Sequence, residues 1–298
     1  MNMKVSQMVK TLSNWSDNVN PIKNMPKGTF WHKVTVECNG AKINSGDLDI
    51  EFKVPFDDDV EANEAEIKIY NLSKTTISAF ALNKKITLTA GYGNDTGIIF
   101  SGFVSKVKTK YSGVDKITAI NAIDSMELKE RKVENISYAK NSKASYILKD
   151  LIKKINMPLA VFETRKDHTY KEAVTVDGEL MSNIKKYAEV CGVSAYISKS
   201  QIYVRHIKSG DNINFTVCED TGLISSPEEF TEEQKSGEGD DEEKTTITGY
   251  KFKMLLQHRL TTAAIIKLKG REINGTYRVR KGSHSFNGTD FITEAEVI

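Results

Sequence analysis

The chain reads as an α+β, mainly β protein, with two similar antiparallel β-barrel-like units and a small α/β unit between them. Three observations carry that expectation. Apolar and charged residues alternate with period two from Trp31 to about Ala122, and strands resume after Ser209; such alternation marks strands that bury one face and wet the other. Between these regions the period lengthens to that of helices. Finally, one phrase occurs twice. Gly113-Val114-Asp115-Lys116-Ile117-Thr118 and Gly288-Thr289-Asp290-Phe291-Ile292-Thr293 share the pattern G-x-D-x-I-T, each behind a Gly-led basic strand that starts at Gly102 or Gly275. The repetition suggests two similar β units; the plainer reading is two unrelated hairpins with common turn residues.

In chain order, residues 1–27 form a polar N-terminal arm or a short amphipathic helix, with Val5, Met8, Val9 and Leu12 on one side. A first β domain spans 28–127. Leu48 to Val54 and Ala65 to Ile69 alternate without a fault, and Ile86 to Ala90 runs into the turn-rich Gly91-Tyr92-Gly93-Asn94-Asp95. Strands spaced in this way indicate an antiparallel barrel or sandwich. A brief helical turn fits at 74–82.

The middle unit spans 128–208. Ala144, Ile147, Leu148, Leu151, Ile152 and Ile155 lie on one helical face; Ser142 is placed to cap that helix and Asn156-Met157-Pro158 to stop it. A second helix runs from about Gly178 to Val190, with Gly192 past its end. Val193 to Ile197 and Gln201 to Val204, joined by Ser198-Lys199-Ser200, form a hairpin. A second β domain spans 209–298. It is interrupted at about 228–244 by an acidic run expected to be a mobile loop, because it has too little apolar surface to order itself.

A chain of 298 residues supports about two cores. With 42 basic and 40 acidic residues, the charge of +2 gives no argument for nucleic-acid binding. No run approaches the ~18 apolar residues of a membrane span, and the N-terminus lacks a signal-peptide core. Cys38, Cys191 and Cys218 are far apart and sit in apolar patterns, so buried free thiols are expected.

Chemistry-bearing motifs are weak, and the chain is expected not to be an enzyme. Gly91-Tyr92-Gly93 with Gly97 resembles part of a phosphate loop but joins two strands, whereas such a loop opens a helix. His32, His168, His206, His258 and His284 are scattered without metal spacing. Asp57-Asp58-Asp59 with Glu61 and Glu64 could hold a hard cation, but a solvated loop is favoured. Lys106, Lys108 and Lys110 form a stripe that could meet phosphate or an acidic partner, although a solvated face is favoured. No catalytic, cofactor-binding or metal residues and no cofactor are expected.

From about Phe30 to Ile298 the order of parts resembles the phage tail baseplate hub proteins of the late control protein D group. That group includes hubs of prophage and bacteriocin tails and, distantly, the central hub of T-even phages. The most specific piece is Ala62-Asn63-Glu64-Ala65-Glu66-Ile67-Lys68-Ile69-Tyr70-Asn71-Leu72-Ser73, followed by Ile86 to Tyr92 and Ile98-Ile99-Phe100-Ser101-Gly102. Later come Thr221 to Pro227 and a terminal region from Gly275 to Thr293. The arm and the acidic run depart from the family pattern. The resemblance implies a homotrimer in which each chain gives two tube domains, a ring that joins the sixfold tail tube to the threefold spike. It implies as partners a tail tube or distal tail protein and the spike, with tape measure and baseplate wedge proteins as further partners, without membrane insertion. It places the protein in the virion tail baseplate, assembled in the host bacterial cytoplasm. The alternative is a β-rich carbohydrate- or receptor-binding module of a tail; a tail-associated wall hydrolase is a more distant one.

Overall fold

The computed structural model describes residues 31–59, 61–124, 131–236 and 243–298. The N-terminal arm lies outside the described residues. The first β region holds β1 (His32–Cys38), β2 (Ala41–Asn44), β3 (Ile50–Phe56), β4 (Glu64–Tyr70), α1 (Lys74–Ala79), β5 (Lys85–Tyr92), β6 (Asp95–Ser112) and β7 (Asp115–Ile123). The alternation sets its burial: Ile50, Phe52, Val54 and Phe56 of β3 are buried, and so are Ala65, Ile67 and Ile69 of β4.

The middle region holds β8 (Lys132–Tyr138), α2 (Ala144–Lys153), β9 (Leu159–Phe162), β10 (Val174–Glu179), α3 (Leu180–Val190), β11 (Ser194–Ser198) and β12 (Gln201–Arg205). The apolar faces of both helices close over one core that includes Ile147, Leu148, Leu151, Ile184 and Tyr187. The expected cap of α2 is replaced. Lys143 precedes the helix and Ser142 caps nothing; the Ser145 amide instead donates to Asp167 Oδ1 at 3.1 Å, and Ser145 Oγ to Oδ2 at 2.9 Å. A carboxylate at a helix start satisfies orphan amides and faces the positive end of the dipole.

The last region holds β13 (Asp211–Val217), β14 (Glu228–Ser236), β15 (Glu243–Leu255), β16 (Ala264–Lys269), β17 (Asn274–Phe286) and β18 (Phe291–Val297). The acidic stretch corrects the expectation of a mobile loop. Glu228–Ser236 is a strand paired antiparallel with β15 from Glu228↔Lys251 to Ser236↔Glu243. Composition argued for a loop, but a ladder of backbone bonds needs no apolar side chains, and one of its carboxylates, Glu232, finds a partner. Arg280 binds Glu232, and the Lys251 ammonium sits 5.3 Å from the Phe230 ring centroid. Only residues 237–242 of that stretch lie outside the described residues.

The molecule is mainly β, with antiparallel ladders dominant, and no closed barrel forms among the described residues. Both β regions instead join one 13-stranded open sheet in the order β14-β15-β18-β17-β3-β4-β7-β6-β5-β1-β2, with β16 and β13 off β17. The join is the antiparallel pair β3·β17. The cores interlock there: Phe286 and Phe291 complete the first core, while Phe56 belongs to the last.

The strand order repeats. The first region runs β3-β4-β7-β6-β5-β1 and the last β14-β15-β18-β17-β16-β13. Taken in chain order, each strand has the same neighbours as its counterpart. One pair differs: β1·β5 is antiparallel and β13·β16 parallel.

Candidate functional site

The two β regions meet at a closely packed seam. In the β3·β17 ladder Gly282 faces Phe56, His284 faces Val54 and Phe286 faces Phe52. A Cβ on Gly282 would meet the Phe56 ring at 2.6 Å and the Glu294 carbonyl at 2.2 Å, so only glycine lets the strands approach. Phe52, Phe286, Phe291, Tyr92 and His32 form an aromatic cluster, with Phe291 edge-on to Phe286 at 5.3 Å and to Tyr92 at 5.1 Å. The Tyr92 hydroxyl donates to the Phe291 carbonyl at 3.1 Å, and burial raises its pKa.

Three polar anchors flank this cluster. Arg278, with its side chain 2% exposed, donates from Nη1 to Asp58 Oδ2 at 2.8 Å and from Nε to the Ser209 carbonyl at 2.8 Å. The Asp57-Asp58-Asp59 stretch is only partly solvated, with all three residues half-buried. Asp58 holds the last β region, and Asp59 pairs with Lys185 of α3 at 3.7 Å. The Asp57 carbonyl accepts from Thr262 Oγ1 at 2.9 Å.

The second anchor is Asp95, at the tip of the β5·β6 hairpin. It pairs with His258 Nε2 at 3.0 Å and accepts from Arg259 Nη1 at 2.8 Å. Burial alone would raise the Asp95 pKa, but bonds from His258 and Arg259 outweigh it and hold the carboxyl well below the usual range.

The third anchor is the buried His284. A carbonyl can only accept, so Nε2 donates to the Leu260 carbonyl at 3.0 Å and Nδ1 accepts from Thr293 Oγ1 at 2.8 Å. Burial pushes the His284 pKa down to about 3, which keeps the ring neutral.

Nearby, where all three regions meet, Asp124 is buried with Asn63. The Asn63 amide donates to it at 3.0 Å and Asn63 Nδ2 at 3.1 Å. Burial pushes the Asp124 pKa up to about 7 against those bonds, and the Asp57 carboxylate adds to the rise.

The five histidines do not converge. His32 packs on the aromatic cluster, His168 lies against Tyr170, and His206 meets Arg165 at 2.9 Å. Among the described residues no group of three or more His, Cys, Asp and Glu side chains could hold a metal ion. Gly91, Tyr92 and Gly97 shape the β5·β6 hairpin. Cys38 and Cys191 are buried; Cys218 is only half-buried, a departure from expectation. Lys106, Lys108 and Lys110 stand exposed along β6. No described helix is long and apolar enough to cross a membrane. Sequence reasoning missed Arg278, Arg259 and Asp95. The one signal for Arg278 was its place in the basic strand that starts at Gly275.

The same fold recurs in solved structures of tail proteins. The 43 kDa tail protein of prophage MuSo2 from Shewanella oneidensis matches with TM-score 0.62 at 8% identity over 90% of this chain and 98% of that one. The tail protein of Neisseria meningitidis MC58 gives 0.62 at 8% identity, covering 90% and 96%. The Escherichia coli type VI secretion component c3393, described as structurally similar to T4 bacteriophage tail proteins gp27 and gp5, gives 0.58 at 10% identity, covering 88% and 76%. At these identities the likeness is one of fold. No curated protein matches the sequence. The family model "Baseplate hub gp41" matches residues 32–292, and the chain belongs to that family. It is a baseplate hub-type tail protein.

Proposed function

We propose that three copies of this chain form a ring at the centre of a phage-tail baseplate, joining a sixfold tail tube to a threefold spike. The observation that carries this reading is the repeated strand order, β3-β4-β7-β6-β5-β1 against β14-β15-β18-β17-β16-β13. Three chains with two like units each present six similar units, which is how a threefold assembly meets a sixfold one. The fixed seam supports it, because two units must keep one relative orientation to share a ring. The ring acts by assembly and passage, without bond chemistry, as a component of the virion tail. Its partners are the tail tube or distal tail protein on one side and the spike on the other.

Light scattering coupled to size exclusion should give the mass of a trimer, and low-resolution images should show threefold symmetry with six similar lobes. A stable monomer in solution, or an assembly without threefold symmetry, would sink the proposal.

A further inference from the structure

The repeated topology leaves one contact unmade. In the last region, one edge of β17 is shared: Asn274–Arg278 pair with β16, and beyond a bulge Gly282–Phe286 pair with β3. In the first region β6 is built alike. Asp95–Phe103 pair with β5, and a bulge follows between Val104 and Lys106. Beyond it the same edge, from Ser105 to Ser112, meets no described strand. Among the described residues no backbone bond reaches it except from β7.

The counterpart of β3 in the last region is β14, and β14 is the strand whose outer edge is also open: its described backbone partners all lie in β15. The two open edges are of nearly equal length, β14 having nine residues. They carry opposite charge. Lys106, Lys108 and Lys110 are exposed on one; Glu228, Glu229 and Glu233 are exposed on the other, with Glu232 already held by Arg280. α3 passes beside β14 without pairing to it.

We infer that the open half of β6 in one copy pairs antiparallel with β14 of the next copy, repeating between chains the β17·β3 seam within a chain. This rests on the ring reading above. Open edges are commonly blunted by charge to prevent association. Here the signs differ at the two edges, which repels β6 from β6 and β14 from β14 while leaving β6 matched to β14. That selection disfavours a twofold dimer and favours a head-to-tail contact, the kind that closes rings. The second copy is thus the occupant, with the charge pattern choosing its orientation.

The test compares the wild-type full chain with two charge-reversed variants by light scattering over a concentration series at low and high salt. One variant carries Lys106→Glu, Lys108→Glu and Lys110→Glu; the other carries Glu228→Lys, Glu229→Lys and Glu233→Lys. Each alone should raise the concentration needed for association by roughly tenfold or more, with the wild-type contact weakening in high salt. A chain with both sets should recover the trimer. An equimolar mixture of the two single-set variants should associate in even-numbered species, because alternating copies match and a ring of three does not; this arm stands even if the six-fold substituted chain fails to fold. A wild-type trimer whose concentration dependence neither set changes overturns this pairing and leaves the ring reading intact. A wild type monomeric at every concentration overturns both.

Discussion

The two copies of G-x-D-x-I-T end up in opposite circumstances. In the β6·β7 hairpin the pair Ser112↔Asp115 encloses a two-residue turn; in β17·β18 the pair Phe286↔Phe291 encloses a four-residue turn. Asp115 is therefore a strand residue and Asp290 a turn residue. The first tip projects into solvent, with Tyr111 75% and Val114 98% exposed, whereas Phe286 and Phe291 at the second are buried in the seam. The threonine that closes each phrase is buried in both, and each shares a hydrogen bond across its hairpin: Thr118 with Thr109 at 3.2 Å and Thr293 with His284 at 2.8 Å. The phrase thus specifies a hairpin and one cross-strand bond. Flanking residues decide whether that hairpin becomes internal glue or a free edge: lysine and threonine in the first, phenylalanine and histidine in the second.

The comparison breaks most easily at its aromatic end. Phe291→Ala removes a ring that touches Phe52, Tyr92 and Phe286, so it should cost about 3–5 kcal/mol in urea unfolding. Val114→Ala at the other tip should change stability by less than ~0.5 kcal/mol. Equal effects at the two tips would show that the seam is not packed as described. Next in size is Arg278→Met, which leaves the Asp58 carboxylate, its side chain 11% exposed, with only the longer contact to Arg280 Nε at 3.6 Å. A loss of about 3 kcal/mol is expected, read from the same melts. A change within ~0.5 kcal/mol would remove Asp58 as an anchor of the seam.

The seam also carries two titrations of opposite sign. His284 has its pKa lowered from 6.5 to about 3, so the unfolded chain binds more protons and stability falls as pH drops through that window. Asp124 has its pKa raised from 3.8 to about 7, so the folded chain binds more protons and stability falls as pH rises through that window. Between about pH 4 and 6.5 the two offset. Asp124→Asn removes one of them. The variant should lose roughly 1 kcal/mol per unit of acidification below pH 6.5, while the wild type stays flatter. Urea midpoints at several pH values distinguish these; parallel profiles for the two proteins would contradict the assignment.

Local features were legible because their causes are local. Ile147, Leu148, Leu151 and Ile152 announce α2 by spacing alone, and Lys199-Ser200, both with positive φ, make the tight turn expected between β11 and β12. The seam was not legible, because Asp58 and Arg278 are 220 positions apart and neither carries a mark of the other. The acidic strand misled for a different reason. Its composition resembles that of a solvated segment, and the Arg280 that binds Glu232 lies far along the chain. The Asp167 cap of α2 likewise comes from another segment, which the nearer Ser142 concealed.

The finest test asks whether the repeated phrase does the same backbone work at both sites despite different turn lengths. Gly113 and Gly288 both have positive φ, +61 and +89, and a Cβ at either would meet nothing within 4 Å. The cost of Gly113→Ala or Gly288→Ala is then backbone strain alone, about 1 kcal/mol each, since a left-handed conformation is disfavoured for any residue with a Cβ. Burial differs greatly between the hairpins, but these two costs should agree within ~0.5 kcal/mol in the same urea series. A much larger loss at Gly288 would mean that its turn also sets the placement of Phe286 and Phe291. The hairpins would then differ in their turns as well as their flanks, and the phrase would be a coincidence of turn residues. Matched costs would leave the flanking residues as the whole reason why one copy is buried and the other is free.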